Sequence, residues 1–369
     1  MQVPQVALLR GVVRTVVDRI GPALAARTWG SIGDVDELLR ELDGTDNFAG
    51  IGSNASVAVS IAAARAFAHL GGSETWRWVA DALEATPRLP VPHFNVLNGG
   101  AHAPNPLAFQ EFMIAPVGAR TFADAVRAGA EVYAALRGRL REQGKLAGVG
   151  DEGGFAPDID APEEALDLLV GAIEDAGYTA SRTGVAIAMD PAANGFGTRT
   201  GIYVFSGREH ERDEMLDLYA RLARDYPVWS LEDPFHEGDH ESWRAITAHR
   251  GDEVQIVGDD LYVTSAERID RGAKHHETNA VLIKPNQTGT VTGTFDALRA
   301  AGRHGMGSMV SHRSGETLDA FIADLVVGAG VGQLKSGAPS RGERVAKYNR
   351  VLEIEAADPS LPYGLVPRP

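Results

Sequence analysis

Six short apolar runs in this chain each lead into a charged or titratable side chain, and that pattern restricts the fold more than any other feature. Val185–Met189 ends in Asp190, Val228–Leu231 in Glu232, Ala280–Ile283 in Lys284, Met309–Ser311 in His312 and Val331–Leu334 in Lys335; Val254–Val257 leads through Gly258 to Asp259. The six polar residues lie 42, 27, 25, 28 and 23 residues apart. Apart from the first, each gap is the length of one strand and one helix. Strand followed by helix, repeated, predicts a parallel sheet with helices outside it. One polar residue at a strand end merely reaches water. Six in register place titratable groups at the same end of successive strands, and in a closed barrel those ends converge on the face where active sites are built.

At 369 residues the chain has room for one barrel of about 250 residues and an appendage. Residues 1–88 read as helical. Asn54 is placed to cap a helix with an apolar stripe of Val57, Ile61, Ala64 and Ala68, stopped by Gly71 and Gly72. Leu89-Pro90-Val91-Pro92 interrupts helix, so the domain boundary is expected there, with a barrel over residues 89–369. Within it, Phe122, Val126, Ala130, Tyr133, Leu136 and Leu140 form one helical stripe, and a second helix opens at Pro162 and closes at Gly177.

The formal charge of −15 argues against nucleic acid or an anionic membrane as partner. It also requires that an anionic substrate be held by a local cluster of cations or by a metal. With no cysteine, disulfides and thiolate metal sites are excluded. The apolar stretch Val6–Leu9 is cut short by Arg10 and no run reaches the roughly 18 residues of a membrane span, so no signal peptide and a cytoplasmic location are expected.

Asp190, Glu232 and Asp259 are three carboxylates from consecutive units, and hard oxygen ligands in that number suit Mg²⁺. Without a cation they would repel one another. Lys284 and Lys335 follow. A lysine near a divalent ion and a second lysine is expected to have a lowered pKa suited to a general base. A metal that neutralises the developing enediolate charge makes proton abstraction next to a carboxylate by such a lysine feasible. Glu152, in Gly150-Asp151-Glu152-Gly153-Gly154, sits in a turn that admits close approach and could protonate a leaving hydroxyl. His312-Arg313-Ser314 offers a guanidinium fork and a hydroxyl suited to phosphate, with Lys335 and His102 as further cations.

The segments LPVPHFNVLNGGAHAPNPLAFQEFMIAPVGA, GVGDEGGFAPD, AIAMDPAA, SLEDPF, QIVGDDLYVT, LIKPNQTGT, MVSHRSGET and GQLKSGAPSRGERVAKYNR resemble the motif series of the enolase family, in the family's order, and LDGTDNFAGIGSNASVAVS in the helical part is similar too. The resemblance implies an enolase-type (β/α)8 TIM-like barrel preceded by a mainly helical remnant of the family's N-terminal capping domain. It implies Asp190, Glu232 and Asp259 as ligands of the catalytic Mg²⁺, Lys284 as the base that takes the C2 proton of 2-phosphoglycerate, and Glu152 as the acid that assists loss of the C3 hydroxyl. Lys335 would lie near the substrate carboxylate, Arg313 and Ser314 would contact phosphate, and His102 would belong to a closing loop. Gln110, Glu111 and His312 match accessory polar positions. A small anionic phosphorylated carboxylate is the implied substrate, and a homodimer is the family's habit.

The chain also departs from the family. The strand-rich opening segment, with a Ser-containing loop that closes over the site and binds a second Mg²⁺, has no counterpart, so one Mg²⁺ is expected and the lid is in question. Ala101 and Pro104 replace Ser and Gly, Asn194-Gly195 replaces Ser-Glu, Thr288 an isoleucine and Leu318 an acid. Three readings follow: a dehydratase of 2-phosphoglycerate, an enolase-like enzyme of phosphonate or phosphinate antibiotic biosynthesis such as carboxyphosphonoenolpyruvate synthase, and a non-catalytic enolase-like binding protein.

Overall fold

The computed structural model describes residues 11–146 and 148–365; Val6–Leu9 lies outside the described residues. After two short helical turns, Val16–Ile20 and Gly21–Ala25, come α1 (Ile32–Asp43), α2 (Ser53–Leu70) and α3 (Thr75–Leu83). The chain then enters β1 (Val91–Asn98) and β2 (Glu111–Ala115), followed by α4 (Phe122–Glu142), α5 (Pro162–Asp175) and β3 (Ala186–Asp190). A hairpin, β4 (Ile202–Phe205) and β5 (Arg208–Glu211), precedes α6 (Arg212–Asp225). Alternation then runs β6 (Val228–Glu232), α7 (His240–Arg250), β7 (Gln255–Gly258), α8 (Ala266–Lys274), β8 (Ala280–Ile283), α9 (Val291–Arg303), β9 (Gly307–Ser311), α10 (Phe321–Ala329), β10 (Gln333–Lys335) and α11 (Gly342–Ala357).

Eight strands close into a barrel in the order β1-β10-β9-β8-β7-β6-β3-β2. The barrel is not wholly parallel as expected: β2 runs antiparallel to both β1 and β3. The reason is the connection. Residues 99–110 contain only a three-residue 3-10 turn, Gly100–His102, which reverses the chain but cannot carry it back along the barrel as a parallel crossover requires. Two helices, α4 and α5, therefore separate β2 from β3, and the loop between them returns Glu152 to the mouth. The long first gap, 190 to 232, holds the β4–β5 hairpin.

Inside the barrel, Gln255 and Gln333 exchange amide hydrogen bonds (2.8 and 2.9 Å), and Gln255 also donates to Ser230 Oγ at 3.0 Å. Such a pair tolerates burial because its polar atoms satisfy each other. Most of the apolar core lies between strands and surrounding helices. On α4 the buried face is Phe122, Ala125, Ala128, Gly129, Val132, Leu136 and Leu140, with Val126 and Tyr133 only half-buried and Ala130 exposed. Gly129 is required there, because a Cβ would stand 2.4 Å from the Phe94 ring.

The N-cap of α2 is Gly52 at φ +90°, not Asn54, which sits in the first turn. Glycine takes that conformation without the usual cost and so starts the helix earlier. Its fully buried positions are Ala55, Ser56, Ser60, Ala64 and Ala68; Val57 and Ile61 instead line a cavity of about 740 Å³ beside the barrel mouth. Ser60 faces α9. Ser60 Oγ accepts from Val291 N at 2.8 Å, Asp36 Oδ2 of α1 accepts from Thr292 N at 2.9 Å, and Thr290 caps Gly293 N at 3.1 Å. Two of the first three amides of α9 are thus satisfied by the N-terminal helices, which ties those helices to the barrel.

Candidate active site

All six strand-end residues converge at the mouth. Asp190, Glu232 and Lys335 are the last residues of β3, β6 and β10, while Asp259, Lys284 and His312 directly follow β7, β8 and β9. Six parallel strands deliver them to one face, and β2 adds Glu111 from its first residue, since an antiparallel strand begins where the others end.

Lys335 organises the centre. It reaches across the mouth, Nζ lying 2.9 Å from Asp190 Oδ2, 2.9 and 2.8 Å from the two oxygens of Glu232, and 3.2 Å from Glu111 Oε2. Burial opposes its charge, but these carboxylates outweigh burial and hold the ammonium well above the usual lysine range. Lys284 Nζ is 2.5 Å from Asp259 Oδ2. With no cation bound, burial lowers its pKa, while Asp259 and Glu232 together raise it above the ordinary value. Glu232 is driven well above the carboxylate range by burial first and then by Asp190. Asp233 anchors the loop after β7, accepting from Asp259 N at 2.8 Å and Asp260 N at 2.9 Å.

Glu152 has partners of its own. Its Oε2 accepts from Asn95 Nδ2 at 3.0 Å and is 3.1 Å from His312 Nε2. Burial raises its pKa, but His312, Lys335 and His102 outweigh burial and hold it well below the carboxylate range. His102 Nδ1 stands 3.6 Å from Glu111 Oε1 and 3.9 Å from Glu152 Oε1, and Nε2 is 3.0 Å from Ser314 Oγ. Glu111 moves the opposite way to Glu152, pushed well above its usual value by burial and then by Glu152. Arg313 is more peripheral, exposed in the cavity wall with Nη1 3.2 Å from Asn286 Oδ1. Gln110 adjoins the cluster by its backbone, its N–H donating to the Asp190 carbonyl at 3.1 Å.

Among the described residues, the tight groupings of candidate ligand atoms are His102–Glu111–Glu152 and Asp233–Asp259–Asp260, each within 4.8 Å. Asp190 and Glu232 are gathered on Lys335 instead, and Asp259 on Lys284. The donor set still fits a hard divalent cation. Glu111, Asp190, Glu232, Asp233 and Asp259 are all buried, and two ammonium groups cannot balance five carboxylates in a water-poor site.

The strand-end pattern did not reveal Asn95, Asp233, Arg344 or Lys347. The last two carried a signal: on α11, Arg344, Lys347, Tyr348, Val351 and Ile354 form one buried stripe, so two cations sit on the apolar face of an amphipathic helix. Lys347 Nζ reaches Glu316 Oε2 at 2.7 Å and the Thr317 carbonyl at 2.5 Å.

Comparison with known proteins agrees with this architecture. Residues 86–360 match the family described as "Enolase, C-terminal TIM barrel domain" and residues 7–79 match "Enolase, N-terminal domain". A curated protein from Beutenbergia cavernae, named Enolase, is 47% identical over 343 residues, covering 93% of this chain and 80% of that protein. The chain belongs to the enolase family. As an enolase-family lyase it has the barrel expected from its motifs, and the non-catalytic reading is set aside. Nothing in these matches points to phosphonate or phosphinate biosynthesis. Among the described residues of this enolase-family chain, no single helix is long and apolar enough to cross a membrane.

Proposed function

We propose that the site dehydrates 2-phosphoglycerate to phosphoenolpyruvate, with Lys284 taking the C2 proton and Glu152 serving the departure of the C3 hydroxyl as water. The observation that supports this most strongly is that the mouth holds two separate pairings: a lysine with Asp259, and a carboxyl group with His312 and Asn95. An abstraction and a later protonation need two groups kept apart in this way. Asp190, Glu232 and Asp259 would hold Mg²⁺. Bound there, the ion would take up carboxylate charge that raises Lys284 and would neutralise the charge developing on the substrate carboxylate.

The chain's own residues do the rest. Lys335 offers a buried cation to the substrate carboxylate, and Arg313 and Ser314 stand at the rim, with His102, for the phosphate. Glu152 begins as a carboxylate. A substrate carrying two anionic groups in the same buried space raises its pKa by like-charge repulsion, toward the protonated form that elimination requires.

Isotope exchange tests the assignment. Lys284→Ala should lose both exchange of the C2 proton with solvent and product formation, whereas Glu152→Gln should lose product formation and retain exchange. Exchange at the normal rate in Lys284→Ala would remove that lysine from the base role.

A further inference from the structure

Arg344 projects from α11 and is only 1% exposed. Its Nη1 lies 2.5 Å from His312 Nδ1 and 2.6 Å from the Arg313 carbonyl; its Nη2 lies 2.6 Å from the Ser314 carbonyl and 3.2 Å from the Asp151 carbonyl. All four acceptors belong to the two segments that carry His312, Arg313, Ser314 and Glu152. One guanidinium therefore spans the loop after β9 and the glycine-rich turn between α4 and α5.

The contact with His312 has a chemical consequence. A guanidinium has donors and no acceptor. The imidazole nitrogen facing it must present a lone pair, so the proton of the neutral ring sits on Nε2. That nitrogen is 3.1 Å from Glu152 Oε2, approaching obliquely rather than along an ideal hydrogen-bond line. A ring protonated on both nitrogens would press an N–H against Nη1. Burial, the largest influence, already holds His312 below the usual histidine range, and Arg344 adds to it, with Glu152 opposing.

We propose that Arg344 is a positioning residue that locks His312 in the Nε2–H tautomer and thereby fixes how Glu152 presents its carboxyl group to the substrate. Asn95 Nδ2, at 3.0 Å from the same Glu152 oxygen, is the second restraint. The inference rests on the assignment of Glu152 to the elimination half of the reaction. It also separates the two halves. Lys284 and Asp259 have no contact with this relay, so weakening it should slow elimination and leave C2 exchange running.

The test starts with the unmodified chain, labelled with ¹⁵N-histidine, in a long-range ¹H–¹⁵N correlation spectrum, which distinguishes the neutral tautomers by the shift of the unprotonated nitrogen. The His312 signals are those missing from His312→Gln. An Nε2–H tautomer that persists across neutral pH is expected; an Nδ1–H or doubly protonated ring would overturn the proposal without any variant. Arg344→Met should then show mixed tautomers and lose product formation by about 10²-fold, the scale of one general-acid contribution, with C2 exchange changed only a few-fold. Arg344→Lys, which keeps a donor, should recover part of both signals. Equal loss of exchange and elimination in a folded Arg344→Met would make Arg344 a general strut and refute the positioning role. If Arg344→Met fails to fold, the wild-type spectrum and Arg344→Lys still decide. Failure of the underlying assignment of Glu152 reads differently, as undiminished product formation in Glu152→Gln while His312 of the unmodified chain still shows the Nε2–H tautomer.

Discussion

Replacing Lys335 with methionine keeps the length of the stem and removes the ammonium that Asp190, Glu232 and Glu111 share at 2.8–3.2 Å. All three carboxylates are at most 4% exposed, so water cannot take over. Breaking a buried ionic network by removing one partner costs about 3–5 kcal/mol, because the remaining charges stay buried and uncompensated. Urea unfolding of the variant beside wild type, at mildly alkaline pH with a chelator present, should show a deficit of that size. The deficit should depend on pH with a definite sign. Burial already holds Glu232 and Glu111 above the carboxylate range, and Lys335 is among the influences that lower them. Without it their folded-state pKa values rise further. A carboxyl group raised on folding destabilises fully above its folded pKa, progressively less as pH falls, and not at all below the unfolded value of about 4.3. Acidification should therefore narrow the gap between variant and wild type. Mg²⁺ at a hundred times its Kd should restore about 2.7 kcal/mol. Equal midpoints for variant and wild type in chelator at alkaline pH would show that the cluster does not depend on Lys335, and the electrostatic picture of the site would fail.

Two further outcomes test the metal assignment and the tie between helices and barrel. Asp259→Ala should weaken Mg²⁺ binding more than tenfold by calorimetry, on the scale found when a support of a metal site is removed; unchanged binding would take Asp259 out of the ligand set. Asp36→Ala should cost about 1 kcal/mol in unfolding free energy, since Thr292 N at 2.9 Å loses its acceptor; no loss would mean that the cap is replaced by water.

The barrel and most of its site were legible because they depend on local periodicity. A strand of four or five apolar residues followed by a helix repeats in the sequence with its polar terminus in place, and parallel strands must carry those termini to one face. Asp190, Glu232, Asp259, Lys284, His312 and Lys335 all lie where that rule put them. Tertiary structure decided what no local pattern encodes. The direction of β2 follows from a connection that holds no crossover helix, and it is what brings Glu111 to the mouth. The start of α2 followed the positive φ of Gly52 rather than the capping propensity of Asn54. The pairing of Lys335 with three carboxylates, and of Lys284 with Asp259, arises from contacts between residues up to 224 positions apart. Arg344 owes its place to two loops far away in sequence that supply four acceptors to one guanidinium. Sequence determines which side chains stand at the end of each strand, because strand and helix are local. Which of them share a proton or a charge is fixed only when the barrel closes, because electrostatic coupling depends on distance across the mouth and on the water that burial removes.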